Sequence, residues 1–145
     1  MIALIQRVSA ASVMVDGDIV GEIQRGLLTL LAVQPGDTQV TAARLAERVL
    51  TYRVFPDEND RMNHSLVDQA FELLAVPQFT LAADTRKGTR ASFTRAAAPE
   101  LGSRLFKEFV DECRKKLPTV ETGVFGANMQ VQLVNDGPVT FWLEA

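Results

Sequence analysis

The sequence LLTLLAV at residues 27–33 gives the strongest indication of the architecture of this chain, because six of its seven residues are apolar. The run follows Gly26 and precedes a turn at Pro35 and Gly36. A continuous apolar run of this length is typical of a strand that is covered on both faces. We therefore predict a fully buried strand at residues 27–33.

Further strands are predicted on the N-terminal side of this run. Residues 1–8 alternate loosely between apolar and polar and indicate a strand. Residues 12–15 and 19–23 flank the pair Asp16-Gly17, which readily adopts the positive φ of a tight turn. This segment therefore predicts a β-hairpin.

Two helices are predicted on the C-terminal side. Apolar residues recur at helical spacing over residues 38–52, with Asp37 or Thr38 as the expected cap. A second helix is expected to begin at Pro99, because proline is favoured at the first helical position, and to end before Pro118. The polar residues 56–63 predict a surface loop. The remaining strands are predicted at residues 71–81, 120–122, 129–134 and 139–143.

Composition restricts the class of protein. The chain has 145 residues, as expected of one domain, and a net charge of −3, whereas generic nucleic-acid binders are usually basic. No apolar stretch is long enough to span a bilayer, and the N-terminal residues do not resemble a signal peptide. The single Cys113 cannot form an internal disulfide, and His64 has no second histidine or cysteine beside it for a zinc site. We expect a cytoplasmic protein with no metal, no cofactor and no DNA or membrane partner.

Two short segments do not fit ordinary core or loop patterns. The first is VPQFTL at residues 76–81, and the second is NDGPVT at residues 135–140. At Gly137-Pro138 the simple interpretation is a hairpin turn between two strands. The alternative is a rigid backbone wall, since a bond before proline can be cis at modest cost and glycine allows close approach.

The segment Gln78-Phe79-Thr80 also allows two interpretations. It can be a plain strand with Phe79 facing inward, or its N–H groups and the Thr80 hydroxyl can stabilise an oxyanion. A threonine nucleophile normally needs a base, and none is close in sequence. His64, which a serine-protease-like triad would require, is expected to be a surface residue, and Cys113 is expected in the core.

Residues 82–98 predict a long basic loop with Arg86, Lys87, Arg90 and Arg95. Loops longer than about 12–15 residues in a compact domain tend to be functional. The basic side chains are either simply solvated or contact phosphate, and Phe93 among them could stack on a base.

Three segments in order resemble the D-aminoacyl-tRNA deacylases: QFTL at 78–81, KGTR at 87–90 with Ser92-Phe93, and NDGPVT at 135–140. The resemblance extends over the whole chain, from residues 1–8 to residues 141–144. Any one of these segments alone would be a weak signal, but three at family-like spacing are specific.

This resemblance implies a hydrolase that cleaves the ester between a D-amino acid and the 3′-terminal adenosine of tRNA, and that also acts on mischarged glycyl-tRNA. It implies a homodimer in the cytoplasm. The expected fold is a single α+β domain over residues 1–145, with a mostly antiparallel sheet curled toward a barrel and two main helices.

The resemblance also assigns roles to residues of the two short segments. Gly137 and Pro138 would form a cis pair that enters the partner's active site and excludes an L side chain. Arg7, which could otherwise be a plain strand-end residue, would brace that pair. Phe79 and Thr80 would supply backbone N–H donors to the oxyanion.

The remaining positions would bind substrate. Gln78 and Met129 would line the pocket, and the ribose 2′-hydroxyl of the RNA, in place of the Thr80 side chain, would activate water. The residues expected to contact RNA are Arg86, Lys87, Arg90 and Phe93.

The chain departs from the family pattern at two positions. Pro77 stands where serine is usual, and Ala91 stands where proline is usual. Two other hypotheses therefore remain open at this point: a non-catalytic binder of RNA or protein, and a hydrolase that uses Thr80 as a nucleophile.

Overall fold

The computed structural model describes residues 1–145. It contains three α-helices and one 3-10 turn at Phe79–Ala82. The helices are α1 (Gln39–Thr51), α2 (Leu66–Gln69) and α3 (Pro99–Arg114). The strands are β1 (Ile2–Val15), β2 (Asp18–Ile23), β3 (Gly26–Ala32), β4 (Phe55–Pro56), β5 (Met62–His64), β6 (Glu72–Pro77), β7 (Val120–Thr122) and β8 (Gln130–Glu144).

The main sheet is built around the long strand β1. Strands β2 and β3 pair antiparallel with β1, and β8 also pairs antiparallel with it over nearly its whole length. The sheet then continues through two parallel pairings, β3 with β6 and β6 with β7. It curls until Gly21 of β2 lies so close to β7 that an added Cβ would be 2.7 Å from the carbonyl oxygen of Thr122. The predicted α+β fold, with a mostly antiparallel sheet curled toward a barrel, is confirmed.

The strand predicted from LLTLLAV is confirmed as β3, which lies between β1 and β6. Leu27 and Leu31 belong to the larger core cluster, which the helices cover. Leu28 belongs to a second cluster, formed by sheet residues inside the curl. Alternate side chains of a strand point to opposite faces, so a strand with a core on each face is apolar at nearly every position.

The two predicted helices form on the outer face of the sheet and pack against each other. Helix α1 begins with a capping box in which Thr38 and Thr41 satisfy each other's backbone N–H groups. Helix α3 begins at Pro99, as predicted. Cys113 is fully buried on α3, and burial raises the pKa of its thiol to about 12, which confirms it as a core residue. No helix is long and apolar enough to cross a bilayer.

Several predicted boundaries were wrong. The strand predicted at 71–81 ends at Pro77, because proline has no N–H with which to continue the ladder, and the chain turns into the 3-10 turn. The polar residues 56–63 are not a plain loop, since they contain most of the small hairpin β4–β5. The strands predicted at 1–8 and 12–15 are one strand, β1, and those at 129–134 and 139–143 are one strand, β8. Helix α2 was not predicted.

Candidate active site

A cavity of about 570 Å³ lies at the C-terminal end of the parallel strands. Leu31 of β3 and Pro77 of β6, which pair with each other, form part of its wall. Phe106 of α3 and Phe125, from the connection between β7 and β8, also line it. The carboxyl ends of parallel strands are the usual place for a ligand in sheets of this kind.

The segment Gln78-Phe79-Thr80 forms the start of the 3-10 turn at the edge of this cavity. The Gln78 N–H donates to the carbonyl of Leu31 at 2.8 Å, which fixes the segment to the end of β3. The first hydrogen bond of the 3-10 turn runs from the N–H of Leu81 to the carbonyl of Gln78. The N–H groups of Phe79 and Thr80 come before it in the chain and have no carbonyl partner in the turn. No side chain caps this terminus. Two adjacent backbone donors are therefore available where Phe79 lines the cavity.

Thr80 is not among the residues that line the cavity, and it lines a neighbouring depression instead. Its hydroxyl accepts a hydrogen bond from Nε2 of Gln78. No carboxylate or imidazole is bonded to it, and His64 lies in the β4–β5 hairpin, paired with Phe55. A threonine nucleophile would need a base. This arrangement therefore provides none for Thr80.

Met129 lies in the cavity wall, next to the connection that follows β7. Its sulfur accepts the N–H of Val124 at 3.3 Å, and a Cβ added to Gly123 would lie only 2.7 Å from that sulfur. Gly123 leaves room for this position of the sulfur, so the backbone and Met129 together shape this side of the cavity. Pro77 also lines the cavity.

An aromatic pair forms the rim of the cavity. The ring centroids of Phe79 and Phe93 are 5.0 Å apart, with the ring planes inclined by 56°. The two residues are 56% and 45% exposed, so a pair of large apolar residues faces solvent at the mouth. The N–H of Ala97 donates to the carbonyl of Val33 at 3.0 Å and holds the basic segment beside the end of β3.

The basic segment is more ordered than the predicted loop. Asp84 and Ser92 exchange two backbone hydrogen bonds of 2.8 and 3.0 Å, so residues 85–91 form a closed loop, with Gly88 at a positive φ of +67°. Within it, Nε and Nη2 of Arg86 donate to the two carboxylate oxygens of Asp84, at 2.9 and 2.5 Å. These bonds hold the pKa of Asp84 well below its usual range.

The charge of Arg86 is therefore largely neutralised within the loop. Lys87 and Arg90 are exposed and are not among the six ion pairs of the structure. They present two free cations near the aromatic rim.

Gly137 and Pro138 do not form a hairpin turn, and that interpretation was wrong. Both halves of β8 pair with β1, with Asn135 opposite Val8 and Thr140 opposite Gln6, so the residues between them bulge outward. The peptide bond between Gly137 and Pro138 is cis. Gly137 has a φ of +150°, and a Cβ there would lie 2.6 Å from a methyl group of Val139. The bulge therefore requires glycine at this position.

Side chains hold the bulge from both sides. Nε of Arg7 donates to the carbonyl of Asp136 at 2.8 Å, and Nη1 donates to the carbonyl of Val54 at 2.6 Å. On the other side, Oδ1 of Asn135 accepts the N–H of Val139 at 2.8 Å, and Nδ2 donates to Thr140 at 2.9 Å. The arginine is thus a brace between the bulge and the chain after α1.

The predicted site residues fall into two groups in the structure. Gln78, Phe79 and Met129 meet at the cavity, with Phe93 on its rim. Gly137 and Pro138 are exposed and lie with Arg7, on the other side of β1 from β3. The distance between the two groups can be read along β3. Arg7, beside the bulge, is opposite Leu27, whereas Leu31 lines the cavity. These two positions of β3 are four residues apart, which is roughly 13 Å of strand. The structure of one chain does not bring the two groups together.

Sequence reasoning missed three contributors to this site. Phe106 lies inside the predicted second helix, where nothing in the sequence distinguished it from a core residue, and Phe125 had no periodic pattern around it. Asn135, which fixes the bulge, lay inside a quoted segment but received no role. Asn135 is four residues before Val139, and such local side-chain to backbone bonds are typical of asparagine, which is the signal that could have identified it.

Comparison with known proteins supports one family. The sequence model described as "D-Tyr-tRNA(Tyr) deacylase" matches residues 4–144. A protein of Vibrio atlanticus (strain LGP32) named "D-aminoacyl-tRNA deacylase" is 60% identical over 144 residues, which is 99% of each chain.

Solved structures give the same fold. One named "c-Myc DNA Unwinding Element Binding Protein" has a TM-score of 0.95 and 38% identity, over 100% of this chain and 99% of its own. Another, described as "Structural Analysis of a probable eukaryotic D-amino acid tRNA deacylase", has a TM-score of 0.88 at 17% identity, covers 99% of this chain and 98% of its own, and supports the fold alone. The full-length family match and the 60% identical relative establish that this chain belongs to the D-Tyr-tRNA(Tyr) deacylase family.

Proposed function

We propose that this protein hydrolyses the ester that joins a D-amino acid to the 3′-terminal adenosine of tRNA. The observation that carries the proposal is the pair of unpartnered N–H groups of Phe79 and Thr80 at the edge of the cavity. Backbone donors fixed in this way can stabilise the oxyanion of acyl transfer without reorganising. Membership of the family supplies the substrate class.

The reaction follows the usual course of ester hydrolysis. Water attacks the carbonyl carbon, and the tetrahedral oxyanion accepts hydrogen bonds from the N–H groups of Phe79 and Thr80. The bond to the ribose oxygen then breaks, that oxygen takes a proton, and a free amino acid and tRNA leave. Because the Thr80 hydroxyl has no base, we assign activation of the water to the ribose 2′-hydroxyl of the substrate.

The bulge at Gly137 and Pro138 acts as the chirality filter in this proposal. It projects from an exposed edge strand and lies too far from the cavity of its own chain to line it. We therefore propose a homodimer in which the bulge of one subunit enters the cavity of the other. Its carbonyl groups hold the substrate ammonium, and its bulk excludes an L side chain. Glycine has no side chain to exclude, so glycyl-tRNA is also a substrate.

The rim and the basic loop bind the RNA in this account. The terminal adenine stacks on the exposed rings of Phe79 and Phe93, since base–aromatic stacking needs no particular sequence. Lys87 and Arg90 contact phosphates, and Arg86 contributes less because Asp84 already binds it. We propose a cytoplasmic location, since aminoacyl-tRNA is the proposed substrate.

Nucleic-acid binding without turnover is the second candidate. A relative that is 38% identical carries a name that refers to binding a DNA element, and Pro77 removes the hydroxyl that the family usually has at the cavity. Saturable binding of tRNA without any hydrolysis would favour this candidate.

The experiment that tests the proposal compares D- and L-tyrosyl-tRNA as substrates of the purified protein. We expect rapid loss of the D form alone. Equal loss of both forms would contradict the filter, and stability of both forms in the presence of folded protein would contradict the deacylase activity. If hydrolysis is slow, competition by uncharged tRNA shows whether the protein still binds tRNA, and therefore whether binding or the chemical step is slow.

A further inference from the structure

A second depression of about 380 Å³ lies beside the cavity, on the other side of the 3-10 turn. Phe79 lines the cavity and the next residue, Thr80, lines this depression, so the two are direct neighbours. We name this depression the Trp142 groove. Its walls include Gln34, Thr80, Thr85, Arg95, Trp142 and Glu144. Unlike the cavity, the groove is lined by several polar and charged side chains, and no role has so far been given to it.

Trp142 provides an open aromatic surface in the groove. Its Nε1 donates to a carboxylate oxygen of Glu144 at 2.7 Å, so the edge of the indole is held in place. The residue nevertheless remains 49% exposed. An indole that is fixed by its edge and half open to solvent is suited to stack on a planar ring.

Arg95 provides an unneutralised positive charge in the same groove. It is exposed and takes part in none of the six ion pairs. The nearby Asp84 is already bound by Arg86. The hydrogen bonds from Arg86 lower the pKa of Asp84, and the charge of Arg95 lowers it further by a smaller amount. A free guanidinium fork matches the geometry of a phosphate.

We infer that the Trp142 groove binds the nucleotide that precedes the terminal adenosine of the tRNA, with its base on Trp142 and the connecting phosphate on Arg95. The inference rests on the proposed function, because the adenosine must occupy the neighbouring rim. In tRNA this nucleotide is cytidine, and the N4 amino group of cytosine is a donor that a carboxylate such as Glu144 can accept. Thr85 leads from the groove to the loop that carries Lys87 and Arg90, so the positive charge continues along the path of the RNA.

Two synthetic esters test the inference in the complete protein. One carries D-tyrosine on adenosine alone, and the other carries it on cytidylyl-(3′→5′)-adenosine (CpA). We expect kcat/KM of the wild type to be roughly tenfold higher for the dinucleotide ester, because it gains one stacked base and one phosphate contact. Trp142→Ala and Arg95→Gln should each reduce this preference several-fold, whereas Trp142→Phe and Arg95→Lys should keep most of it.

Arg61→Gln, on the β4–β5 hairpin outside the groove, is the matched control and should not change the preference. An equal preference in the wild type, Trp142→Ala and Arg95→Gln would overturn the inference. A change of the sedimentation mass in Trp142→Ala would also overturn it, since the groove would then be a contact between subunits.

A binding measurement separates failure of this inference from failure of the proposed function. Trp142 is the single tryptophan of the chain, so intrinsic fluorescence reports directly on the groove. CpA should quench this fluorescence, and Arg95→Gln should weaken its binding roughly tenfold. If neither ester is hydrolysed but this quenching occurs, the groove assignment stands and the deacylase proposal falls. If CpA does not change the fluorescence, the groove assignment is wrong whatever the activity.

Discussion

The end of β6 and the middle of β8 both contain a proline within a strand, yet the two places differ in structure. At Pro77 the strand stops, and the chain turns into the 3-10 turn that presents two free N–H groups. At Pro138 the strand bulges and then resumes its pairing with β1. Strand β6 has neighbours on both sides, whereas β8 is an edge strand whose outer side is free. In this molecule the proline of the interior strand ends it, and the proline on the free edge shapes a projection.

The largest effect is expected from removing one backbone donor at the end of β6. Phe79→Pro removes the N–H at the first position of the 3-10 turn, where proline is tolerated, and should reduce kcat for D-tyrosyl-tRNA roughly 100-fold. Phe79→Ala removes the ring but keeps the N–H, so it is the matched control and should mainly raise KM. Equal kcat values for the two variants would show that this donor does not stabilise the transition state.

The next effect tests the bulge and leaves the cavity intact. Arg7→Ala removes both hydrogen bonds that brace Asp136 against Val54, so the filter should become mobile. We expect the ratio of D- to L-tyrosyl-tRNA hydrolysis to fall roughly tenfold. Arg7→Lys should not restore the ratio, because a single ammonium cannot reproduce the planar fork. An unchanged ratio in a folded Arg7→Ala protein would contradict the role of the brace.

A smaller effect is expected from the charges of the basic loop. The double variant Lys87→Gln/Arg90→Gln should raise KM several-fold and reduce the slope of log KM against log salt concentration by roughly 1 to 2. Arg86→Gln removes one positive charge, where the double variant removes two, and should change the slope less than half as much, since Asp84 already neutralises Arg86. A larger slope change for Arg86→Gln than for the double variant would argue against phosphate contacts at Lys87 and Arg90.

The smallest effect on activity is expected from a change on β3, between the cavity at the end of β6 and the bulge of β8. The hydroxyl of Thr29 is fully buried and has no hydrogen-bond partner. Thr29→Val should raise the free energy of unfolding by roughly 1 kcal/mol, measured by urea denaturation, because it removes an unsatisfied buried group and keeps the shape. Its ratio of D- to L-tyrosyl-tRNA hydrolysis should equal that of the wild type. A changed ratio would mean that discrimination responds to any alteration of the sheet and not to the bulge in particular.

Local signals made much of the fold predictable from the sequence. The apolar run of β3, the turn at Asp16 and Gly17, the cap at Thr38 and the start of α3 at Pro99 depend on residues close together in the chain. The continuity of β8 through its bulge was not predictable in this way. It depends on pairing with β1, which is more than a hundred residues away in sequence.

The candidate site was predictable to a similar extent. The segments around Phe79 and Gly137 were recognised from their unusual composition and from the family resemblance. The cavity walls at Phe106 and Phe125 come from elements that meet only in the folded chain, so no sequence pattern identified them. The pairing of Arg86 with Asp84 had a local signal, since two opposite charges two residues apart in a tight loop readily meet.

The central claim is that the cavity of one subunit and the bulge of another form one active site. Mixing two variants tests it directly. Phe79→Pro should be nearly inactive but keeps a braced bulge, and the Arg7→Ala homodimer should hydrolyse L-tyrosyl-tRNA because each of its cavities receives the loose bulge of the partner. At a roughly tenfold excess of Phe79→Pro, after subunit exchange, about nine tenths of the Arg7→Ala subunits should pair with it.

We expect hydrolysis of L-tyrosyl-tRNA by this mixture to fall several-fold while hydrolysis of D-tyrosyl-tRNA is retained. The double variant Arg7→Ala/Phe79→Pro is the control, because it supplies neither an active cavity nor a braced bulge and should not restore discrimination. Unchanged hydrolysis of L-tyrosyl-tRNA in the exchanged mixture with Phe79→Pro would contradict the shared active site.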